Sequence, residues 1–243
     1  MTTVKEFLGN VRDSIFAGDK NYQRLELPPV SKVWQADNDP TTDLPEAELF
    51  EQFCQNLEKV SGEFILCDDF ANLIFQVAKI LCEKKTDEIK IMVSSNTATR
   101  KVADELQAVV DSLSGVDGKP CLKFYFEPTG ELELEELASC DIGLVSAESL
   151  LADTGSGIFR ASSRFERLTV YLPPVSVVVA SRGKLAKNLQ TAWQNLCTEI
   201  KNQKTGEFVI VTGPSRTADI EKILILGVHG PKRVLFMIYP DKT

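Results

Sequence analysis

The residues best suited to bind a small polar ligand occur in two short segments of the 243-residue sequence. One is GPSRT at 213–217, directly after the apolar run EFVIVT, and the other is ADTGSG at 152–157. Both combine hydroxyl or charged side chains with glycine, which lets the backbone approach a ligand closely. The chemistry that we expect is binding of hydroxyl groups, or pairing of a cation with a small carboxylate.

The first segment predicts a sharp turn followed by a helix, because apolar residues recur at helical spacing over 220–227. Gly213 would turn the chain at the carboxyl end of a parallel strand, where ligands of open α/β sheets usually bind. Ser215 and Thr217 would either cap the helix or offer their hydroxyls to a ligand.

The charges at the start of this predicted helix argue against a phosphate site. Asp219 and Glu221 place two negative charges in the first turn, where the helix dipole stabilises them and where they would repel an anion. Arg216 offsets one of these charges. A ligand site and a capped helix without a ligand both remain open.

His229 is the only histidine and stands in the turn Gly-Val-His-Gly-Pro. It could act as a general acid or base near neutral pH, and Asp219 is the second candidate for that role. The structural alternative is that His229 caps the last carbonyls of the predicted helix. A single histidine cannot form a multi-histidine metal site, and we expect no metal site in this chain.

The second segment carries small hydroxyl side chains on a flexible backbone, and Asp153 adds a carboxylate. A ligand site and a hairpin turn use the same residue types here, so both interpretations stand. The ligand-binding residues expected from the two segments are Asp153, Thr154, Gly155, Ser156, Gly213, Ser215, Arg216, Thr217 and Gly230.

The elements that must position these residues follow an alternating pattern. Helices are predicted at 45–60, 69–84, 97–113 and 133–139, and strands at 63–67, 88–94, 121–126 and 141–147. This alternation predicts an α/β fold with a mostly parallel sheet flanked by helices. Three β-like segments follow, GIFRAS, RLTVYL and VSVVVA, which predict an antiparallel or mixed portion. A helix at 184–202 and a strand–helix–strand unit ending in RVLFMIY complete the prediction.

The N-terminal residues differ from the rest of the chain. A helix is predicted up to about Gly18, and the proline-containing stretch 19–44 predicts an extended arm that packs on its own domain or on a partner. We therefore divide the chain into an N-terminal helix and arm, 1–44, and one α/β domain, 45–243.

Composition narrows the function classes. With 35 acidic and 27 basic residues the net charge is −8, which argues against nucleic-acid binding. The sequence has no signal-peptide pattern and no apolar run of membrane-spanning length, so we expect a cytoplasmic protein without a membrane segment. None of the six cysteines forms a CxxC pair, so we expect no iron–sulfur cluster in this chain.

The two segments together resemble the LUD domain of the lactate-utilization protein C family. The resemblance is carried by GPSRTADIEKILILGVHGP and ADTGSGIF, and by YLPPVSVVVASRGKL at 171–185. Two positions depart from the family pattern: Asp153 stands where a glutamate is usual, and Ser176 where a histidine is frequent.

The resemblance implies a fold of the sugar-phosphate isomerase and CoA-transferase-like (NagB/RpiA/CoA transferase-like) group. It also implies a role in oxidising L-lactate to pyruvate beside iron–sulfur partner proteins, and it implies no known active site. Three functions follow as hypotheses. The first is an accessory protein or subunit of L-lactate utilization with a small-ligand site. The second is a stand-alone enzyme acting on a small carboxylate or sugar phosphate, and the third is a metabolite-binding regulatory protein.

Overall fold

A computed structural model describes residues 44–84, 86–113, 120–130, 133–200, 207–218, 224–226 and 230–241. The helix and arm predicted for 1–44 lie outside these residues, apart from Leu44. Strands and helices are numbered below in chain order.

Six strands form the main sheet of the described chain. They are β1 Glu63–Leu66, β2 Glu88–Val93, β3 Cys121–Tyr125, β4 Ile142–Ser146, β7 Val175–Ser181 and β12 Arg233–Tyr239. Their spatial order is β1-β12-β7-β4-β2-β3, and every neighbouring pair is parallel. Each of the strands β7 and β12 has five consecutive buried residues, as expected for parallel strands covered on both faces. The predicted mostly parallel α/β sheet is therefore confirmed.

Helices cover both faces of this sheet. They are α1 Glu46–Lys59, α2 Phe70–Glu83, α3 Thr97–Leu113, α4 Leu134–Ala138, α5 Arg164–Tyr171 and α6 Leu189–Ile200. Alternate residues of β7 show the two layers: Val177 and Val179 belong to the cluster of α2 and α3, whereas Val178 belongs to that of α1 and α5. In the described part of the chain, none of the helices combines the length and apolarity that crossing a bilayer requires.

A second sheet lies against the α1 side of the main sheet. It contains β5 Ser149–Leu151, β6 Ser156–Ala161, β8 Leu185–Ala186 and β9 Glu207–Val211, in the order β8-β5-β6-β9. Strand β6 is antiparallel to β5 and to β9, and β5 is parallel to β8. Phe159 of β6 is buried in the same cluster as Phe236 of β12, which joins the two sheets. The predicted mixed portion therefore exists as a separate sheet.

The segment RLTVYL, predicted as a strand, is instead part of helix α5, so that prediction was wrong. The Ser163 hydroxyl accepts a hydrogen bond from the Glu166 amide at 3.2 Å and caps the helix. Phe165, Thr169 and Val170 are buried at helical spacing. Packing of this face decides the conformation in spite of the β-branched residues, whose strand preference is weak and depends on context.

The prediction of a helix within 213–231 was also wrong. Two short antiparallel strands, β10 Arg216–Ala218 and β11 Leu224–Leu226, occupy this region, with Thr217 opposite Ile225. The Ser215 amide donates to the Pro231 carbonyl at 2.8 Å and ties the two ends of the segment together. The preceding strand β9 belongs to the second sheet, so Gly213 does not follow a strand of the parallel sheet.

The helix predicted at 184–202 begins later than expected. Residues Arg182–Lys184 form a 3₁₀ turn, and β8 then adds to the second sheet before α6 starts at Leu189. The Asn188 side chain accepts a hydrogen bond from the Thr191 amide at 2.9 Å, which satisfies a free donor at the helix start.

Candidate ligand-binding site

The two segments singled out in the sequence meet in the structure. The Ser156 and Thr212 hydroxyl oxygens lie 2.6 Å apart, and Ser156 donates a further hydrogen bond to the Thr154 hydroxyl at 2.7 Å. Ser156 is buried, with an exposed fraction of 1%. The hydroxyls of these three residues thus form a connected chain at the turn of the β5–β6 hairpin.

Glycines in both segments contact the end of helix α1. Gly155 has a φ of +67°, and a Cβ atom there would lie 2.2 Å from the Leu57 amide nitrogen. Gly213 has a φ of +75°, and its Cβ would lie 2.7 Å from the Val60 carbonyl oxygen. Only glycine allows this backbone conformation and this close approach without strain. In the structure these glycines serve packing against α1.

Polar contacts reinforce the same junction. The Asn56 amide group donates to the carbonyls of Ala152 and Asp153 at 2.8 and 3.0 Å. Arg216 donates from Nη2 to the Ser61 hydroxyl at 2.6 Å. These bonds join the residues after β5 to α1, and the first residue of β10 to the turn that follows α1.

The remaining residues predicted for the site are only partly placed. Gly230 lies beside Ser215, since a Cβ on Gly230 would be 3.0 Å from the Ser215 Cβ. The backbone of Thr217 lies in β10. Asp219 and His229, the predicted acid–base residues, lie outside the described residues. Their roles therefore stay a prediction.

A different position has the topology of a binding site. Strands β2 and β4 are neighbours in the main sheet, but the connections from their carboxyl ends run in opposite directions. From β2 the chain passes through α3 to β3, and from β4 it passes through β5, β6 and α5 to β7. These connections cover opposite faces of the sheet. Ligands of open α/β sheets bind in the crevice that such a divergence creates.

A cavity of about 230 Å³ occupies this position. We call it the β2–β4 crevice. Its polar lining comes from the ends of β2, β4 and β6 and from α5, and consists of Ser94, Ser95, Asn96, Ser146, Glu148, Arg160, Ser162 and Glu166. Val145, Phe159 and Val170 form its apolar wall. A small cavity with a few converging polar groups is typical of a small-molecule site.

The charged groups of the crevice come from the β5–β6 hairpin and from helix α5. Arg160 Nε lies 3.5 Å from a carboxylate oxygen of Glu148, across the open end of the β5–β6 hairpin. Glu166, on α5, has an exposed fraction of 8%. Its Oε2 accepts hydrogen bonds from the Ser162 amide at 2.7 Å and from the Ser162 hydroxyl. A carboxylate this deeply buried requires hydrogen-bond donors around it.

The connection from β2 to α3 shapes the other wall. The Asn96 side chain accepts a hydrogen bond from the Ala98 amide at 2.8 Å, and the Thr99 hydroxyl donates to the Ser94 carbonyl at 2.8 Å. Thr99 is fully buried. The 17-residue helix α3 thus begins beside the crevice, where its free amides favour negative charge.

Sequence reasoning missed Glu148, Arg160 and Glu166. Their one local signal is Ser163-x-x-Glu166, the spacing of a capping box, which indicates a helix start. Glu148 and Arg160 stand in no motif, because the antiparallel pairing of β5 with β6 is what brings them together. The predicted residues 153–155 lie in the turn of that hairpin and Ser156 begins β6, whereas the crevice lies at the open end of the hairpin.

A second and larger cleft, of about 900 Å³, opens at the carboxyl ends of β1, β7 and β12. Asp68, Asp69, Asp241 and Lys101 contribute its charges. The ring of Tyr239 contacts that of Phe70 at a centroid distance of 5.2 Å. Burial raises the pKa of the Tyr239 phenol, and the neighbouring Asp241 raises it further. This cleft therefore favours cationic or neutral groups over anions.

The fold is similar to that of a solved DUF162 family protein from Deinococcus radiodurans. The TM-score is 0.53 at 15% sequence identity, and the match covers 81% of this chain and 99% of that one. A ribose 5-phosphate isomerase A from Methanocaldococcus jannaschii matches at a TM-score of 0.36 and 13% identity, over 64% of this chain and 98% of that one.

The family model of the LUD domain matches residues 50–239 of this sequence. The chain therefore belongs to the LUD-domain family, as its sequence motifs predicted.

Curated relatives match at low identity. Lactate utilization protein C of Bacillus subtilis is 27% identical over 115 residues, which cover 46% of this chain and 48% of that protein. The uncharacterized protein YkgG of Escherichia coli is 25% identical over 190 residues, covering 72% of this chain and 80% of that protein. The match thus spans about half the length of the B. subtilis relative.

Proposed function

We propose that this protein is a non-redox accessory protein or subunit of L-lactate utilization, which binds a small carboxylate in the β2–β4 crevice. Iron–sulfur partner proteins would carry the electrons when lactate is oxidised to pyruvate. The family membership and the name of the B. subtilis relative support the pathway.

The observation that carries the ligand site is the position of the crevice. It lies where the connections from β2 and β4 diverge, and it holds a buried carboxylate, Glu166, and an ion pair, Glu148 with Arg160. The apolar wall of Val145, Phe159 and Val170 makes the surroundings less polar, which strengthens these electrostatic interactions.

The acid–base residues predicted from the sequence, His229 and Asp219, are candidates for a role separate from the crevice. Either His229 or Asp219 would be the acid–base group of the alternative function, a stand-alone enzyme acting on a small carboxylate or sugar phosphate. We propose further that residues 45–243 are the LUD domain and that 1–44 are a separate N-terminal helix and extended arm.

The test is lactate-dependent dye reduction under anaerobic conditions, with the purified protein mixed with its candidate iron–sulfur partners. Three variants are compared with the wild type: Glu166→Gln, His229→Ala and Asp219→Asn. A matched control is Glu207→Gln, because Glu207 pairs with Arg167 at 3.1 Å outside the crevice. Thermal unfolding checks that each variant is folded.

We expect dye reduction to require this protein, and to fall in folded Glu166→Gln but not in Glu207→Gln. A fall in His229→Ala or Asp219→Asn would add the region after Gly213 to the site. If the partners neither bind the protein nor respond to it, the subunit function is wrong. Turnover of small carboxylates or sugar phosphates by the isolated protein would then identify a stand-alone enzyme.

A further inference from the structure

We infer that two copies of this protein associate through strand β9, which pairs in antiparallel orientation with β9 of the second copy about a two-fold axis. The four-stranded sheets of the two copies then form one continuous sheet. The exposed face of helix α6 extends the same contact surface. This association goes beyond the proposed function and does not depend on it.

Strand β9 is an edge strand of the second sheet. Within the described chain its strand neighbour is β6, on one side. All five residues of Glu207–Val211 keep accessible surface, whereas five of the six residues of β6 are buried. An edge strand directs a row of backbone N–H and C=O groups outward, and a strand of another chain can pair with them.

The other sheet edges in the described chain carry features that oppose strand addition. Strand β8 has only two residues, β3 carries Lys123 at its centre, and β1 begins at Glu63 and is followed by Asp68. Short strands and charged side chains are the usual protection of an edge. In β9 the one charged residue is Glu207, at the first position, and it pairs with Arg167 at 3.1 Å.

The surface beside this edge carries large apolar side chains. Ile210 of β9 has an exposed fraction of 46%, and Trp193 of α6 one of 47%. The Trp193 ring contacts the Phe208 ring at a centroid distance of 5.2 Å. Phe208 and Ile210 lie on the same face of β9, because side chains alternate along a strand. Strand and helix thus form one apolar surface, which is typical of an interaction site.

The same surface contains no charged residue, although 26% of the chain is charged. Neither 189–198 of α6 nor 208–215, from β9 onward, includes Asp, Glu, Lys or Arg. The exposed α6 residues in the described chain are Leu189, Gln190, Trp193, Gln194, Asn195 and Cys197. Interface cores are depleted in charged residues and enriched in aromatic ones. Since each copy has a net charge of −8, two copies approach with the least repulsion at an uncharged surface.

The sequence of β9 is complementary to itself. When the antiparallel pair is centred on Val209, all five residues of β9 are paired. Phe208 then lies opposite Ile210 of the second copy, and Val209 lies opposite Val209. Apolar pairs across neighbouring strands stabilise a sheet. A two-fold axis through Val209 uses the same surface of both copies, as in most dimers of identical chains.

The first test is the molecular mass of the full-length protein in solution, measured by analytical ultracentrifugation over a concentration series. We expect a dimer of the 26.9-kDa chain, with a Kd of about 10 µM or lower, as for a specific interface of modest size. Ile210→Lys should raise this Kd at least about tenfold, because a lysine charge on an edge strand opposes pairing. The matched control is Leu66→Lys, which should leave the Kd unchanged. Leu66 has an exposed fraction of 55% and lies on edge strand β1.

A disulfide test locates the axis. In a variant whose exposed cysteines Cys82, Cys121 and Cys197 are replaced by serine, we expect Val209→Cys to form a dimer linked by a disulfide on mild oxidation. Opposite residues of an antiparallel pair have Cα atoms about 4.5–5.5 Å apart, within the range that a disulfide spans. Val211→Cys is the control, because its two thiols would lie four positions out of register, about 13 Å apart.

A monomer over the whole concentration series would overturn the inference. So would a dimer that folded Ile210→Lys leaves intact, a dimer that Leu66→Lys dissociates, or equal cross-linking of the two cysteine variants. Thermal unfolding checks the fold of each variant, and if Ile210→Lys does not fold, the wild-type mass and the two cysteine variants decide. These measurements need neither a ligand nor partner proteins, so their outcome is separate from that of the dye-reduction assay.

Discussion

The hydroxyl oxygens of Ser156 and Thr212 lie 2.6 Å apart, although 56 residues separate them in the chain. Because the Ser156 hydroxyl donates to Thr154, Thr212 is the donor to Ser156. The contact connects the β5–β6 turn to the end of β9, at the place where both segments pack on α1.

This chain of hydroxyls should show energetic coupling. In a double-mutant cycle with Ser156→Ala and Thr212→Val, we expect an interaction free energy of about 1 kcal/mol, measured by urea unfolding. The physical reason is that each single variant leaves the partner hydroxyl without its hydrogen bond. Pairing Ser156→Ala with Ser112→Ala is the control, because the Ser112 hydroxyl donates to the local Val109 carbonyl within helix α3. Additive effects in the first cycle would contradict the prediction.

Gly155 should tolerate no side chain. We expect Gly155→Ala to lower the free energy of unfolding by at least about 2 kcal/mol, because a left-handed conformation is costly and the new Cβ meets the α1 backbone at 2.2 Å. Gly130→Ala is the matched control, since a Cβ there meets no atom within 4 Å. Equal stability of the two variants in urea unfolding would show that the turn at Gly155 does not pack on α1 as described.

Asp69 should stabilise helix α2 through its side chain. It accepts a hydrogen bond from the Asn72 amide at 2.7 Å at the N-cap position. We expect Asp69→Ala to cost about 1 kcal/mol in thermal or urea unfolding, and Asp69→Asn to cost much less, because asparagine caps nearly as well. A similar loss in both variants would assign the effect to the charge of Asp69 and not to the cap.

The cysteines should differ in reactivity with pH. Burial, with a smaller contribution from neighbouring acidic residues, raises the pKa of the Cys67 and Cys140 thiols to about 11, and Lys90 opposes part of the rise at Cys140. A raised pKa means that the thiolate forms only at higher pH, so at pH 8 about one thiol in a thousand is ionised. We expect iodoacetamide to modify exposed Cys82, Cys121 and Cys197 first in the folded protein at pH 8.

Mass spectrometry of the alkylated peptides measures this order. The raised pKa also affects stability, because the folded state favours the neutral thiols over the thiolates. The contribution of these thiols to the free energy of unfolding is therefore complete below about pH 9. It is lost as the pH rises through about 11. Modification of Cys67 as fast as Cys82 in the folded protein at pH 8 would show that Cys67 is not buried.

Helices and strands with strong local patterns were predicted well. Helix α3 was predicted at 97–113 and is observed at Thr97–Leu113, because its apolar residues repeat at helical spacing and face one side of the sheet. Strands β2, β4, β7 and β12 were found because buried parallel strands are continuous apolar runs. In these elements the residues that become buried lie close together in the sequence, so the local pattern of apolar residues identifies them.

Elements whose conformation depends on contacts with distant parts of the chain were predicted less well. Helix α5 carries β-branched residues, and its burial against β4 and β6 overrides their strand preference. The region after Gly213 has helical spacing, yet its strands pair through Thr217 and Ile225. Helical periodicity in a short segment does not decide between a helix and a hairpin when the surrounding structure supplies the pairing.

By itself, the sequence determined the fold class, the family and the two segments of glycine and hydroxyl residues. Only the tertiary structure decided that these segments meet at α1, and that Glu148, Arg160 and Glu166 converge at the open end of the β5–β6 hairpin. The reason is physical: periodicity and turn residues act over a few positions. A crevice between diverging strands is formed by residues that only the order of the strands brings together.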